Sequence, residues 1–341
     1  MCKAVFLFFP FFVLFSQIKV GVDCFLEKEK QFSQKKIAFA INHTSCTNQM
    51  EFILDVLKTP SFTIAAIFTP EHGLKGADYA WKSVQDGAHK DIPIYSLHGP
   101  RRRPTQDMLK GLDAIVYDMQ SIGARSYTYE TTLFYLMEES AKAGVKVIVL
   151  DRPNPMGSIV DGLVLDPDLQ SYIGYIKVPY CHGMTIGELA TFFNQEYQVG
   201  CSLEVIKMEG WKRDMSFSET GLAWIPTSPN IPESDTPFYY SSTGIIGELD
   251  FVSIGASFTL PFKVLAAPWI NGKLFAEKCN KQKVKGVVFI PFSFRPFFGK
   301  FKGKKVEGVL IRILDMKVYR PLEVQYLLLG LLKRRTRIAK Y

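Results

Sequence analysis

The segment VKVIVLDRPNP (Val145–Pro155) passes through a nearly continuous apolar, β-branched stretch and then directly into Asp151, Arg152 and Asn154. A strand with one wet face alternates polar and apolar residues. A strand buried on both faces does not, and its natural place is a parallel sheet covered by helices. Three other stretches have the same form: KIAFAINHT (Lys36–Thr44), TIAAIFTPEHG (Thr63–Gly73) and DAIVYDMQS (Asp113–Ser121). Between them lie helical patterns. TNQMEFILDVLK (Thr47–Lys58) has helical apolar spacing with Thr47 as N-cap, and TTLFYLMEESAKAG (Thr131–Gly144) ends in a glycine suited to a left-handed cap. TIGELATFFNQEY (Thr185–Tyr197) carries Thr185 and Glu188 at capping-box spacing.

Strands alternating with helices predict an α/β fold, a Rossmann-like parallel-sheet domain over residues 25–230. WIPTSPNIPESDTP (Trp224–Pro237) reads as a linker or binding loop. Residues 231–341 then predict a smaller C-terminal α+β auxiliary domain, with strands in KGVVFIPFSF and KVEGVLIRILD and a last helix at Pro321–Lys333. The chain's 341 residues are 47% apolar, ample for two cores. Residues 1–24 read as a signal peptide, with Lys3 followed by an apolar run, Ala4–Phe15, that is too short to span a bilayer. Export is therefore expected, without a stable membrane span.

No two cysteines stand in C-x-x-C spacing, and so few in a chain this long read as buried thiols rather than a disulfide framework. The net charge of +8 is concentrated at the end: Lys273–Tyr341 holds 18 basic against 4 acidic residues. These lysines are not interleaved with aromatic residues as in a nucleic-acid reader, so a solvated basic face is expected and no nucleic-acid partner.

In open parallel sheets, ligands bind at the carboxyl ends of the strands. All four strands end in polar groups: Asn42, His43 and Thr44; Glu71 and His72; Asp118 and Gln120; Asp151, Arg152 and Asn154. Together they predict a polar pocket. No glycine-rich phosphate loop follows a strand, and neither H-E-x-x-H nor G-x-S-x-G occurs. Carboxylate chemistry remains. Pro70 and Gly73 frame Glu71 in a stiff turn, and a half-desolvated Glu there suits general-acid catalysis. A helix-capping role for Glu71, or its pairing with Arg101–Arg103 on the surface, is the alternative. Arg125, Tyr127 and Tyr129 offer an anion clamp and rings for a sugar carrying a carboxylate, or the tyrosines simply alternate on a strand. His182 precedes a helix N-terminus, where anions are welcome, or is an ordinary loop residue.

INHTS, FTPEHGLKG, IPIYSLHGPRRRPT, YDMQSIGARSYTY, VLDRPNPMG, YCHGMTIGELA and WIPTSPNIP occur in this order, followed by LPFKVLAAPWI and FRPFFGKFKGKKVEGVLI. Together they resemble the DUF1343 proteins, which include exo-β-N-acetylmuramidases. The resemblance implies removal of β-linked N-acetylmuramic acid from peptidoglycan fragments without a cofactor. It implies Glu71 as catalytic acid with His72 beside it. Asn42, Gln120, Arg125, Tyr127, Tyr129, Asp151, Arg152, Asn154, His182, Ser228 and Asn230 are the implied substrate-binding residues, with Arg125 expected at the lactyl carboxylate. Ser45, Ser121-Ile122 and Ala256–Thr259 depart from the family pattern, the last losing an arginine. These departures predict weakened activity, and a shortened C-terminus is expected to leave an apolar helix at Leu327–Leu332 exposed, at a cost in solubility. A saccharide-binding protein of the same fold is the alternative expectation.

Overall fold

The computed structural model describes residues 18–57, 60–80 and 82–336. In chain order the elements are α1 (Gly21–Glu27), β1 (Lys36–Ile41), α2 (Ile53–Val56), β2 (Thr63–Thr69), β3 (Gly87–His89), β4 (Ile92–Ser96) and α3 (Gln106–Leu109). Next come β5 (Ala114–Asp118), α4 (Thr128–Ala143), β6 (Lys146–Leu150), β7 (Val160–Asp161), β8 (Cys181–His182), α5 (Ile186–Glu196) and β9 (Leu203–Ile206). The C-terminal part holds α6 (Thr236–Glu248), β10 (Val264–Ala267), α7 (Gly272–Asn280), β11 (Val287–Phe294), β12 (Val306–Ile313) and α8 (Pro321–Thr336).

Seven strands form one sheet in the order β3-β4-β2-β1-β5-β6-β9, parallel except for β3. Taken alone, the parallel strands run third-second-first-fourth-fifth-sixth. This is the Rossmann order, whose ligand crevice opens where the winding reverses, between β1 and β5. Both faces are covered, as the unbroken apolar strands require. Ala38 and Ala40 of β1 join the core under α4 and α5, whereas Ile37, Phe39 and Ile41 join the core on the opposite side with Val22 and Phe25 of α1. The smaller domain is a three-stranded antiparallel sheet, β10-β12-β11, packed with α6, α7 and α8. One apolar core nevertheless runs through both parts, from Tyr117 and Phe134 to Phe275, Val309 and Leu328.

Several local expectations hold. Gly144 caps α4 at φ 68°, and Thr185 and Glu188 form the capping box of α5. Others do not. Between Thr47 and Val56 only one helical turn forms, because the Thr47 hydroxyl accepts from the amides of Gln49 and Glu51 and closes a turn instead. Lys58 lies outside the described residues. Tyr127 and Tyr129 do not alternate on a strand; they begin α4. The stretch Trp224–Pro237, read as a linker or binding loop, runs into α6, with Pro237 in its first turn, where the missing N–H costs nothing. The helix at Leu327–Leu332 is not laid bare: Leu328 and Leu332 are buried, and α8 packs on α6.

The leader expected over residues 1–24 falls outside the described residues as far as residue 17. From Ile18 the chain is packed, with Val22, Cys24 and Phe25 in the core and the Gly21 amide donating to the Asp151 carbonyl at 2.8 Å. A boundary after residue 24 would cut through this packing. The five described cysteines are free and buried.

Candidate active site

A cavity of about 430 Å³ opens at the carboxyl ends of the central strands, within the range of roughly 300–1,000 Å³ usual for small-molecule sites. Glu71 and His72 reach it from the turn after β2, and Ser126, Tyr127 and Thr128 from the start of α4. Ser228, Pro229 and Asn230 come from the loop before α6, and Ile245 and Glu248 from α6 itself. The turn holding Glu71 is closed by the Gly73 amide donating to the Pro70 carbonyl at 3.1 Å. His72 sits in the left-handed region at φ 73°, a conformation costly for a non-glycine residue and found where a structure over-determines the backbone. Its Nδ1 is fixed at 2.6 Å from the Asp78 carbonyl, so that nitrogen carries the proton.

Glu71 is 7% exposed. Its Oε2 accepts from the Thr128 hydroxyl at 2.8 Å, and its Oε1 lies 3.6 Å from His98 Nε2. Burial holds the His98 imidazole below the ordinary histidine range, against the opposing pull of Glu71. His98 Nδ1 in the pair itself, Thr69 Oγ1 two residues before Glu71, and His43 Nδ1 are buried without a hydrogen-bond partner among the described residues. Unmatched buried polar groups are costly and need an explanation. The three arginines have other partners: Arg101 pairs with Asp86 at 2.6 Å, Arg102 lies 4.1 Å over the Tyr172 ring, and Arg103 pairs with Glu138 and Glu139.

The structure divides the residues named from sequence. Glu71, His72, Tyr127, Ser228 and Asn230 line the cavity. Tyr129 stands behind it, its hydroxyl donating to the Thr227 carbonyl at 2.7 Å, while Tyr127 donates to the Thr227 hydroxyl at 2.8 Å; together they hold the Ser228 loop. Arg125 is not a cavity residue. Its guanidinium donates to the carbonyls of Leu163, at 2.9 Å, and Val178. Among the described residues lining the cavity there is no arginine.

The remaining residues build the scaffold. Asn42 Oδ1 accepts from the Thr44 amide and hydroxyl at 2.9 and 2.6 Å, and Gln120 Nε2 donates to the carbonyls of Ser121 and Pro153. Gln120 and Arg152 line a separate hollow of about 30 Å³, too small for a sugar. Arg152 makes a buried two-pronged pair with Asp118, at 2.5 and 2.8 Å. Asp151 accepts from the Gly187 amide at 2.8 Å and the Thr185 hydroxyl at 3.0 Å, tying β6 to the start of α5. Asn154 links Met156 to Met184, and Gly123 is required beside it because a Cβ there would meet its Oδ1 at 2.2 Å. His182 donates through Nε2 to Glu130 at 3.0 Å, since its Nδ1 accepts from the Met184 amide. His98 and Thr128 were not singled out from sequence. His98 follows β4, a strand whose Pro93 and partial exposure hide it, and Thr128 lies ahead of the helix read from Thr131.

Two family models match this chain: the N-terminal part of exo-β-N-acetylmuramidase NamZ over residues 37–235 and its C-terminal part over residues 238–339. A peptidoglycan β-N-acetylmuramidase NamZ of Bacillus subtilis is 37% identical over 306 residues, covering 88% of this chain and 73% of that protein. A crystal structure of a DUF1343 family protein from Bacteroides fragilis superposes with a TM-score of 0.88 at 36% identity, covering 95% of this chain and 85% of that one. A second from the same organism gives 0.70 at 29% identity, covering 88% and 77%. The chain, with its Rossmann-like sheet, its small antiparallel domain and a buried Glu71 in the crevice between them, belongs to the NamZ family of DUF1343 proteins.

Proposed function

We infer that this chain is an exo-acting glycoside hydrolase that releases β-linked N-acetylmuramic acid from the non-reducing end of peptidoglycan fragments. The observation that carries the reading is Glu71: a carboxyl group 7% exposed on the floor of a cavity, oriented by the Thr128 hydroxyl at 2.8 Å and flanked by a buried imidazole. A carboxylic acid so placed delivers its proton to a glycosidic oxygen as the bond breaks, a contribution of roughly 10²–10⁴-fold. Ser126, Tyr127, Tyr180, Ser228, Tyr240 and Asn230 line the same space, a polar and aromatic wall suited to the departing sugar.

The test is release of N-acetylmuramic acid from a MurNAc-GlcNAc disaccharide and from a chromogenic β-muramide, with wild type and Glu71→Gln compared. Turnover by wild type that collapses in the variant supports the enzyme. A folded wild type that binds the disaccharide without cleaving it would make the chain a binding protein.

We further propose export and a part in cell-wall sugar recycling. Lys3 and the apolar run Ala4–Phe15 support a leader. The packing of Gly21–Phe25 favours processing before Ile18. N-terminal sequencing of protein recovered outside the cytoplasm tests both. Among the described residues no helix is long and apolar enough to cross a membrane.

A further inference from the structure

The cavity has two differently built halves. Its floor is polar and buried around Glu71. Its outer wall is apolar and open: Tyr79 is 74% exposed, Phe298 57% and Ile173 43%, with Ile245 and Ile254 beside them. Large aromatic side chains left in water at the mouth of a pocket are unusual enough to need a reason.

Phe298 is not on a loose loop. It lies in the connection from β11 to β12, where the Phe297 amide donates to the Ser257 carbonyl at 2.8 Å and the Gly303 amide to the Pro296 carbonyl at 2.9 Å. Arg295 donates to the Gly303 carbonyl at 2.8 Å, and Lys300 to the Asp250 carbonyl at 2.6 Å. The Phe297 ring packs 5.3 Å from Phe258, which stacks on Phe294 at 4.7 Å. The anchored backbone presents Phe298 to the cavity mouth, while Tyr79 reaches the same mouth from the other domain.

We propose that Phe298 and Tyr79 form the leaving-group subsite, holding the apolar face of the acetamido sugar on the reducing side of the scissile bond. The inference rests on the muramidase reading above. An exo-acting enzyme closes around the terminal sugar and leaves the rest of the chain to run outward. Exposure here rises in that direction, from 7% at Glu71 to more than half at Phe298. The C–H face of a pyranose is flat and apolar, and rigid rings cover it at little cost in side-chain entropy.

The test uses Glu71→Gln as the background, so that ligand is bound and not consumed. Calorimetric titrations compare N-acetylmuramic acid, the MurNAc-GlcNAc disaccharide and a muramyl dipeptide. Adding Phe298→Ala is expected to weaken the disaccharide about tenfold, the scale of one lost aromatic contact, and to leave the monosaccharide unchanged. Phe298→Trp should restore the difference. Equal weakening of both sugars would overturn the subsite, and weakening confined to the muramyl dipeptide would give the rim to a stem peptide instead. If the Glu71→Gln protein binds none of the three, the muramidase reading falls and the subsite with it.

Discussion

Two polar clusters occupy the same edge of the sheet. Around Asp118, Asp151, Arg152, Glu130 and His182, each charged group meets an opposite charge or a directed donor: Arg152 on Asp118, His182 and the Ser121 hydroxyl on Glu130, Gly187 and Thr185 on Asp151. Around Glu71 the matching is incomplete, with buried atoms of His43, Thr69 and His98 left over and a cavity of about 430 Å³ beside them. Both clusters arise from the same sequence signal, polar residues where apolar strands end. The difference teaches that a saturated network holds strands and helices together, whereas an unsaturated one beside open space is kept for a ligand.

The comparison predicts opposite mutational behaviour. Glu71→Gln should lower kcat by roughly 10²–10⁴-fold while the denaturation midpoint barely moves. If instead the midpoint dropped sharply and turnover survived, Glu71 would belong with the scaffold. Arg152→Met should do the reverse. It leaves Asp118 buried without its partner, a cost of roughly 3–5 kcal/mol that urea unfolding measures. Residual folded enzyme should retain a near-normal KM.

Asp151 gives a pH signature. Burial pushes its carboxyl up to about 6, from an ordinary value of 3.8. Between those pH values the folded state holds the proton more tightly than the unfolded one. Its contribution is therefore most favourable below pH 3.8, diminishes as pH rises through that window, and is constant above about 6. Asp151→Asn should remove that slope, worth on the order of 3 kcal/mol across the window, as read from unfolding curves at pH 4 and pH 7. An unchanged slope would show that Asp151 does not titrate there. The smallest effect is expected for Arg125→Met. With its guanidinium turned to the carbonyls of Leu163 and Val178, kcat/KM for a muramyl disaccharide should change by less than about threefold. A large rise in KM would restore Arg125 to the substrate.

Parallel strands were legible because their apolar runs leave only one arrangement that buries both faces. α5 was legible because Thr185 and Glu188 cap each other locally. α6 was hidden by its own composition: Ser242 and Thr243 are poor helix formers, yet their hydroxyls turn back to the carbonyls of Phe238 and Tyr239 inside the helix. The stretch after Thr47 failed for the opposite reason, since a side-chain turn outcompeted good helical spacing. Within the site, Glu71 and His72 were legible from their turn. Arg125 was not, because a guanidinium's target depends on which loop folds over it. Phe298 and Tyr79 escaped because an exposed aromatic residue carries no periodic signal and acquires meaning only from the wall opposite.

The core that passes unbroken from Tyr117 and Phe134 to Phe275, Val309 and Leu328 has a mechanical consequence. Two lobes that share one interior cannot swing on a hinge without tearing it, so the mouth between them keeps a constant gape. A saccharide then enters by threading its end into a standing slot rather than by being clasped. Heating should melt both lobes in a single calorimetric step.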